Sequence, residues 1–333
     1  MFRQTRQIFA ILPVITVFVL LSLGCQSSGL VEPLDEVTVQ LKWYHQAQFA
    51  GFYAADQHGY YAAEGLRVSF TEGGPEVDLT SSVLDGTAQF AVVGADALIV
   101  SRSEGKPLGV IAAVFRRNPL VFFAMADSDI TKPQDFIGKR IRVSPFQQPV
   151  FTTMMARVGV SLDQYTVVCC ELEPFSSGDI DVSEGYLTNE VLAAQEAGYK
   201  LNIIYPEDYG VHTYADTIIT SDDFITNRPD LVKRFLRATL KGWRWAIENP
   251  EDAGLLALNY DPTLSAGLQV AQMLAGIPLI HTGEDQIGWM RSEVWQGMID
   301  WSLEQGILTE SVDLDEVYTM EFLQQIYSEG GTY

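Results

Sequence analysis

The stretch from Val37 to Glu72, VTVQLKWYHQAQFAGFYAADQHGYYAAEGLRVSFTE, leaves few folds open. Val37, Val39 and Leu41 alternate with Thr38, Gln40 and Lys42, the two-residue period of a short strand, and Trp43-Tyr44-His45-Gln46 breaks the alternation at its carboxyl end. Phe49, Phe52 and Tyr53 then recur at helical spacing before Gly59. After the Glu64-Gly65 stop, Leu66, Val68 and Phe70 alternate again. A strand, loop, helix, strand opening builds an open α/β sheet, which holds ligands beyond the carboxyl ends of its strands. The polar and aromatic loop stands at such an end.

The same grammar continues. Gly73-Gly74-Pro75 turns toward a helix through Leu79, Val83 and Leu84, Phe90–Val93 is a buried strand, and Gly94-Ala95-Asp96 opens another helix. Asp96 is expected to cap that helix and to reach a ligand from the same loop. Leu108–Phe115 is a continuous apolar run, as in a strand covered on both faces. It breaks at Arg116-Arg117-Asn118-Pro119 and resumes at Leu120–Met125, a joint that crosses to a second lobe. There Ile141–Val143, Tyr165–Cys170, Ile180–Val182 and Leu201–Tyr205 read as strands and Leu187–Ala197 as a helix. Ser144-Pro145-Phe146-Gln147-Gln148-Pro149 leads into a helix with Met154, Met155 and Val158. Thr217–Thr220 is a last strand before helical sequence. Val232, Phe235, Leu236, Thr239, Leu240, Trp243 and Ile247 hold one face until Asn249-Pro250, and Ile287, Met290, Val294, Met298 and Trp301 repeat the pattern. The expected fold class is α/β, a two-lobed clamp with a ligand cleft. Residues 37–118 and 215–333 make one lobe and 119–214 the other.

At 333 residues and 47% apolar, the chain can bury a large core. The net charge of −22, with no basic run, argues against a nucleic-acid partner; the acid excess reads as a solvated surface. Arg3 and Arg6 precede an apolar run from Ile8 to Leu23 that ends at Gly24-Cys25, the pattern of an export signal over residues 1–24. Gly24-Cys25 resembles a lipoprotein processing site, so Cys25 is expected to carry lipid, with residues 25–36 as a tether. An uncleaved anchor helix is the alternative, but the run falls short of the ~20 residues a span needs. Cys169 and Cys170 are adjacent, too close for an unstrained bridge, and read as buried strand thiols. Four scattered histidines give no zinc spacing, and no nucleophile elbow, phosphate loop or dinucleotide fingerprint occurs.

Three clusters remain. Trp43–Phe49 combines aromatic faces with amides, a mixture suited to a planar ligand with a polar edge, although any one ring is as readily core. Ser183–Glu190 follows an expected strand and would face a cleft, unless Thr188 or Asn189 merely caps the next helix. Asp208–Asp216 is aromatic and acidic just before the helical section, where hinge packing is the bland reading.

Leu41–Asp56, Gly59–Leu66, Tyr186–Glu190 and Asp208–Gly210, in that order, resemble the type II periplasmic binding proteins of the thiamine-pyrimidine-precursor and taurine class, which feed ABC importers. The likeness covers nearly all of the chain after the leader, and the first block looks most like the riboflavin-binding branch. The resemblance implies a cleft lined by Trp43, Gln48, Phe49, Tyr186, Asn189, Glu190 and Tyr209; Asp96, Asn118, Phe146 and Gln147, in the remaining loops, complete the candidate ligand-binding residues. It also implies riboflavin or a related planar heterocycle as transported ligand, a permease as partner, a monomer held at the membrane by lipid, and neither metal nor cofactor. A thiamine pyrimidine precursor and a sulfonate are the alternative ligands, and a sensor module and a pyrimidine-forming enzyme the alternative classes. The enzymatic branch has a Tyr-His pair shortly after the tryptophan, where this chain has Gln48-Phe49.

Overall fold

The computed structural model describes Phe2 and residues 33–145, 147–169 and 178–331; Cys25, Phe146 and Cys170 lie outside the described residues. Leu34–Tyr333 forms one compact unit. Its strands, in chain order, are β1 (Asp35–Gln40), β2 (Leu66–Thr71), β3 (Phe90–Val93), β4 (Leu108–Phe115), β5 (Leu120–Met125), β6 (Arg140–Arg142), β7 (Thr166–Val168), β8 (Val182–Tyr186), β9 (Leu201–Ile204) and β10 (Ala215–Ser221). They form two sheets with the orders β2-β1-β3-β10-β4 and β7-β6-β8-β5-β9.

The two sheets have the same plan. In the first, β1 pairs in parallel with β2 and β3, while β10 is antiparallel to both β3 and β4. In the second, β6 pairs in parallel with β7 and β8, while β5 is antiparallel to both β8 and β9. The antiparallel strand of each sheet is thus the one that arrives directly from the edge strand of the other. Two crossings result, at residues 116–119 and 205–214, and both sheets turn the carboxyl ends of their parallel strands toward one seam. Asn118 laces the crossings together: its Nδ2 donates to Thr213 Oγ1 at 2.7 Å and its Oδ1 accepts from the Leu120 amide at 2.9 Å.

Each lobe has its own core. β4 is buried at all eight positions, which its unbroken apolar run requires, and its outer edge is covered by bridges to Gly288 and Tyr318. A second core gathers Phe122, Phe136, Phe151 and Met154. Three readings from sequence need correcting. The strand expected at Ile180–Val182 is Val182–Tyr186, because Ser183 and Glu184, though polar, are buried within the sheet between β6 and β5. Ile287 and Met290 are buried but precede the helix Ser292–Glu304, in a segment held against β4 by the Ala113–Gly288 bridge. Cys169 is exposed rather than buried, since it follows three-residue β7 at the edge of its sheet.

The helix Ala50–Gln57, which carries the first loop into the lobe, is fixed by close approach to the helix Pro229–Glu248. A Cβ on Gly242 would fall 2.1 Å from the Gly51 carbonyl oxygen, and one on Gly51 would fall 2.1 Å from the Trp243 ring. Neither helix can accept an added methyl there without separating from its partner. Gly242→Ala should therefore lower the free energy of unfolding by about 3 kcal/mol, read as a lower urea midpoint. An unchanged midpoint would show that the helices part freely.

Candidate ligand-binding site

At the end of β1, Leu41 continues the sheet by bonding the Thr71 carbonyl, and the Gly73 amide holds the Trp43 carbonyl at 3.1 Å. A side chain at Gly73 would strike the Leu41 and Lys42 carbonyls, so this approach needs glycine. The extension carries Lys42 to the seam. Its Nζ donates to the Tyr186 hydroxyl of the second lobe at 2.7 Å and to Asp216 Oδ1 at 3.2 Å, and it lies 5.2 Å from the Tyr186 ring centroid.

From this ion pair a hydrogen-bonded ring runs through eight residues. Asp216 Oδ2 accepts from Gln48 Nε2, and Gln48 Oε1 accepts from Gln46 Nε2 at 2.6 Å. Gln46 Oε1 accepts from Gln272 Nε2 at 3.5 Å, and the same nitrogen donates to Asn189 Oδ1 at 3.0 Å. Asn189 Nδ2 donates to Glu190 Oε1 at 3.2 Å, and Glu190 Oε2 accepts from the Tyr186 amide at 2.7 Å, which closes the ring. It passes between the lobes twice, at Lys42–Tyr186 and at Gln272–Asn189.

Burial works against the Lys42 charge, but the Tyr186 hydroxyl, Asp216 and Asp96 outweigh it, and the amine stays protonated with its pKa raised. Burial pushes the Tyr186 hydroxyl up to about 12, with Lys42 opposing. Asp216, 1% exposed, holds φ at 50°, unlike any other described non-glycine residue. That conformation costs on the order of 1 kcal/mol, and bonds from both Lys42 and Gln48 hold it in place.

The residues read from sequence divide accordingly. Gln48, Tyr186, Asn189 and Glu190 join the ring, although Tyr186 ends β8 rather than starting a loop. Trp43 is half-buried beside Lys42, edge to face with exposed Tyr44 at 5.4 Å. Asp96 is the second residue of the helix Ala95–Ser103; Gly94 occupies the capping position, and the Asp96 carboxylate acts instead on the charge of Lys42. Phe49 is fully buried in the first core, edge to face with Tyr53, and Tyr209 packs on the second core. Gln147 is half-buried just before the helix Gln148–Arg157. Asn118 lines a different space, a cavity of about 340 Å³ beside the crossings with Arg116, Tyr205, Thr213, Tyr214 and Arg291.

Sequence reasoning passed over Lys42 and Gln272, and it took in Gln46 and Asp216 only as members of their loop clusters. Lys42 reads as the solvent side of a strand, and Asp216 as the tail of a hinge cluster. A signal for Gln272 did exist: Gln269 and Gln272 are one turn apart in a helix, Ala266–Ile280, that is otherwise apolar or small. Among the described residues no group of His, Cys, Asp and Glu has metal-ligand geometry, and no helix is long and apolar enough to cross a membrane.

Two lobes of this plan, meeting at the ends of their strands, are the fold of the periplasmic binding proteins. The putative periplasmic sulfonate-binding protein SsuA of Methylobacillus flagellatus KT shares it with a TM-score of 0.69 at 14% identity, covering 90% of this chain and 95% of that one. The chain belongs to the family described as NMT1/THI5 like, which matches residues 46–253. The riboflavin-binding protein RibY of Chloroflexus aurantiacus is 25% identical over 90% of this chain and 88% of its own. The formylaminopyrimidine-binding protein of Halalkalibacterium halodurans is 28% identical over 84% and 89%, respectively. A relative of another kind, the 4-amino-5-hydroxymethyl-2-methylpyrimidine phosphate synthase of Legionella pneumophila, is 23% identical over 87% and 92%.

Asp216→Asn keeps the shape and tolerates the left-handed backbone but removes the charge. With Lys42 21% exposed, the loss in stability should be about 2 kcal/mol, and it should nearly vanish in a Lys42→Met background. Full additivity in that double-mutant cycle would show that the pair is not coupled. Behind Tyr186, buried Glu184 accepts from the Ser144 amide at 2.8 Å while its Oε2 has no hydrogen-bond partner among the described residues. Burial raises its pKa from 4.5 to about 7, with Ser144 and Arg142 opposing the rise and Glu190 adding to it. The folded state holds this proton more tightly than the unfolded chain, so the group's contribution to stability is full below pH 4.5, declines toward pH 7 and is level above. Glu184→Gln should therefore match the parent at pH 4.5 and exceed it by about 3 kcal/mol at pH 8 in urea unfolding. A difference that does not vary with pH would rule out the buried carboxyl as its source.

Proposed function

We propose that the protein is the substrate-binding lipoprotein of an ABC importer, and that it captures riboflavin between its lobes and delivers it to a membrane permease without chemical change. The observation that carries this reading is the ring at the seam. Its cation is already matched by Asp216, with Asp96 near, so the site has no surplus positive charge for an anion, and the rest of the ring is largely amide. An uncharged planar ligand with a polar edge suits such a seam better than a sulfonate does. Riboflavin carries no net charge, so the protein's −22 imposes no long-range penalty on its capture. RibY supports the choice of ligand by likeness, and the formylaminopyrimidine-binding relative supports a pyrimidine precursor as the second reading. Against pyrimidine synthesis, Gln48 is bound to Asp216 and Phe49 is enclosed in the core where the resemblance would put a reactive Tyr-His pair.

Trp43 and Tyr186, the aromatic residues next to Lys42 in sequence and in space respectively, supply the stacking faces, and the amide of Asn189 the edge. A ligand would take over the two bridges that join the lobes. Riboflavin fluorescence should be quenched on binding, and Trp43→Ala should weaken affinity by about 2 kcal/mol, a factor of roughly 30. No quenching and no heat with riboflavin, alongside binding of formylaminopyrimidine, would move the assignment to the second reading. Lipidation at Cys25 is tested separately: Cys25→Ala should leave the protein unprocessed or released in fractionated cells, whereas unchanged anchoring with Met1 retained would overturn it.

A further inference from the structure

Gln272 is 4% exposed and lies on the helix Ala266–Ile280 of the first lobe, where it reaches Asn189 of the second. Its amide nitrogen bridges the lobes, donating to Asn189 Oδ1 at 3.0 Å and to Gln46 Oε1 at 3.5 Å. Its carbonyl oxygen, bonded to the same carbon and so held at the same place, is buried without a hydrogen-bond partner among the described residues. An amide oxygen enclosed without a donor is destabilising, and here the enclosed oxygen sits where two lobes meet. Gln269, one turn earlier, provides the contrast. Its carbonyl accepts from the Ala47 amide at 2.6 Å and anchors the first loop, a structural task. Gln272 has the donor half of its amide occupied and the acceptor half open.

We infer that Gln272 Oε1 accepts a hydrogen bond from an N–H of the bound ligand, so that the Ala266–Ile280 helix reads the ligand's polar edge. This rests on the binding-protein reading above and adds a specificity to it: the ligand must present a donor. The imide N–H of a flavin and the amino group of a pyrimidine both qualify. A sulfonate group offers acceptors alone, and against it Gln272 would set one more acceptor.

The test compares riboflavin with 3-methylriboflavin, which lacks the imide hydrogen, on the full-length protein and on Gln272→Met, by fluorescence titration. The wild-type protein should bind riboflavin about tenfold more tightly than the methylated flavin. Gln272→Met should lose about tenfold for riboflavin and discriminate between the two less than twofold, with unfolding midpoints recorded to show that the variant is folded. Equal affinity of the wild-type protein for both flavins would overturn the inference, as would full discrimination by Gln272→Met. If that variant does not fold, the wild-type comparison decides alone. If the wild-type protein binds neither flavin, the riboflavin reading fails first, and the same comparison with formylaminopyrimidine and its N-methylated analogue decides the role of Gln272.

Discussion

Lys42 brings a full charge to the seam between two lobes, and the arrangement around it follows from the need to keep that charge solvated by protein. Asp216 answers it from the start of β10, in a backbone conformation that an aspartate adopts only when something holds it there. Gln48 does so by taking the second carboxylate oxygen, which commits the amide that the sequence marks for a ligand. Gln46 and Gln272 extend the chain of amides to the second lobe, and Tyr186 completes the ammonium's contacts. The site is therefore preorganised around one ion pair, with its polar groups oriented before anything is bound.

Most of the fold was legible because alternation and continuous apolar runs report burial on one face or two. β4 was plain from eight apolar residues, whereas β8 was misplaced because its buried Ser183 and Glu184 look like loop residues. The loops at strand ends were legible as well, and they delivered Gln48, Tyr186, Asn189 and Glu190 to the seam. What a sequence cannot display is pairing across the chain. Lys42 meets Asp216 after 174 residues, and Gln46 meets Gln272 after 226, so neither partner looks exceptional where it stands. Phe49 shows the converse: its aromatic ring at a strand end suggested a stacking face, but tight helix packing behind the loop draws it into the core.

The two crossings divide tasks that a single hinge would have to combine. On one side, next to β1, β3 and β10, lies the ring with its two interlobe bridges. On the other, next to β4 and β9, Arg117 holds Glu207 and Asn118 holds Thr213, tying crossing to crossing. The ring's bridges join separate lobes and part if the lobes open, while the lacing joins neighbouring segments of the hinge itself. Rotation about the crossings can therefore break the first set and spare the second.

The place of β10 also bears on how the chain is made. It sits between β3 and β4, yet β3 ends at Val93 and β10 begins at Ala215. Until residues past Ala215 emerge during synthesis, the first sheet lacks an inner strand and leaves two buried edges unpaired, while every strand of the second sheet, Leu120 to Ile204, is already available. The second lobe is thus free to form as an insertion while the first waits, with apolar β4 needing shelter in the interval. The seam is thus assembled last, after the whole of its framework has been delivered.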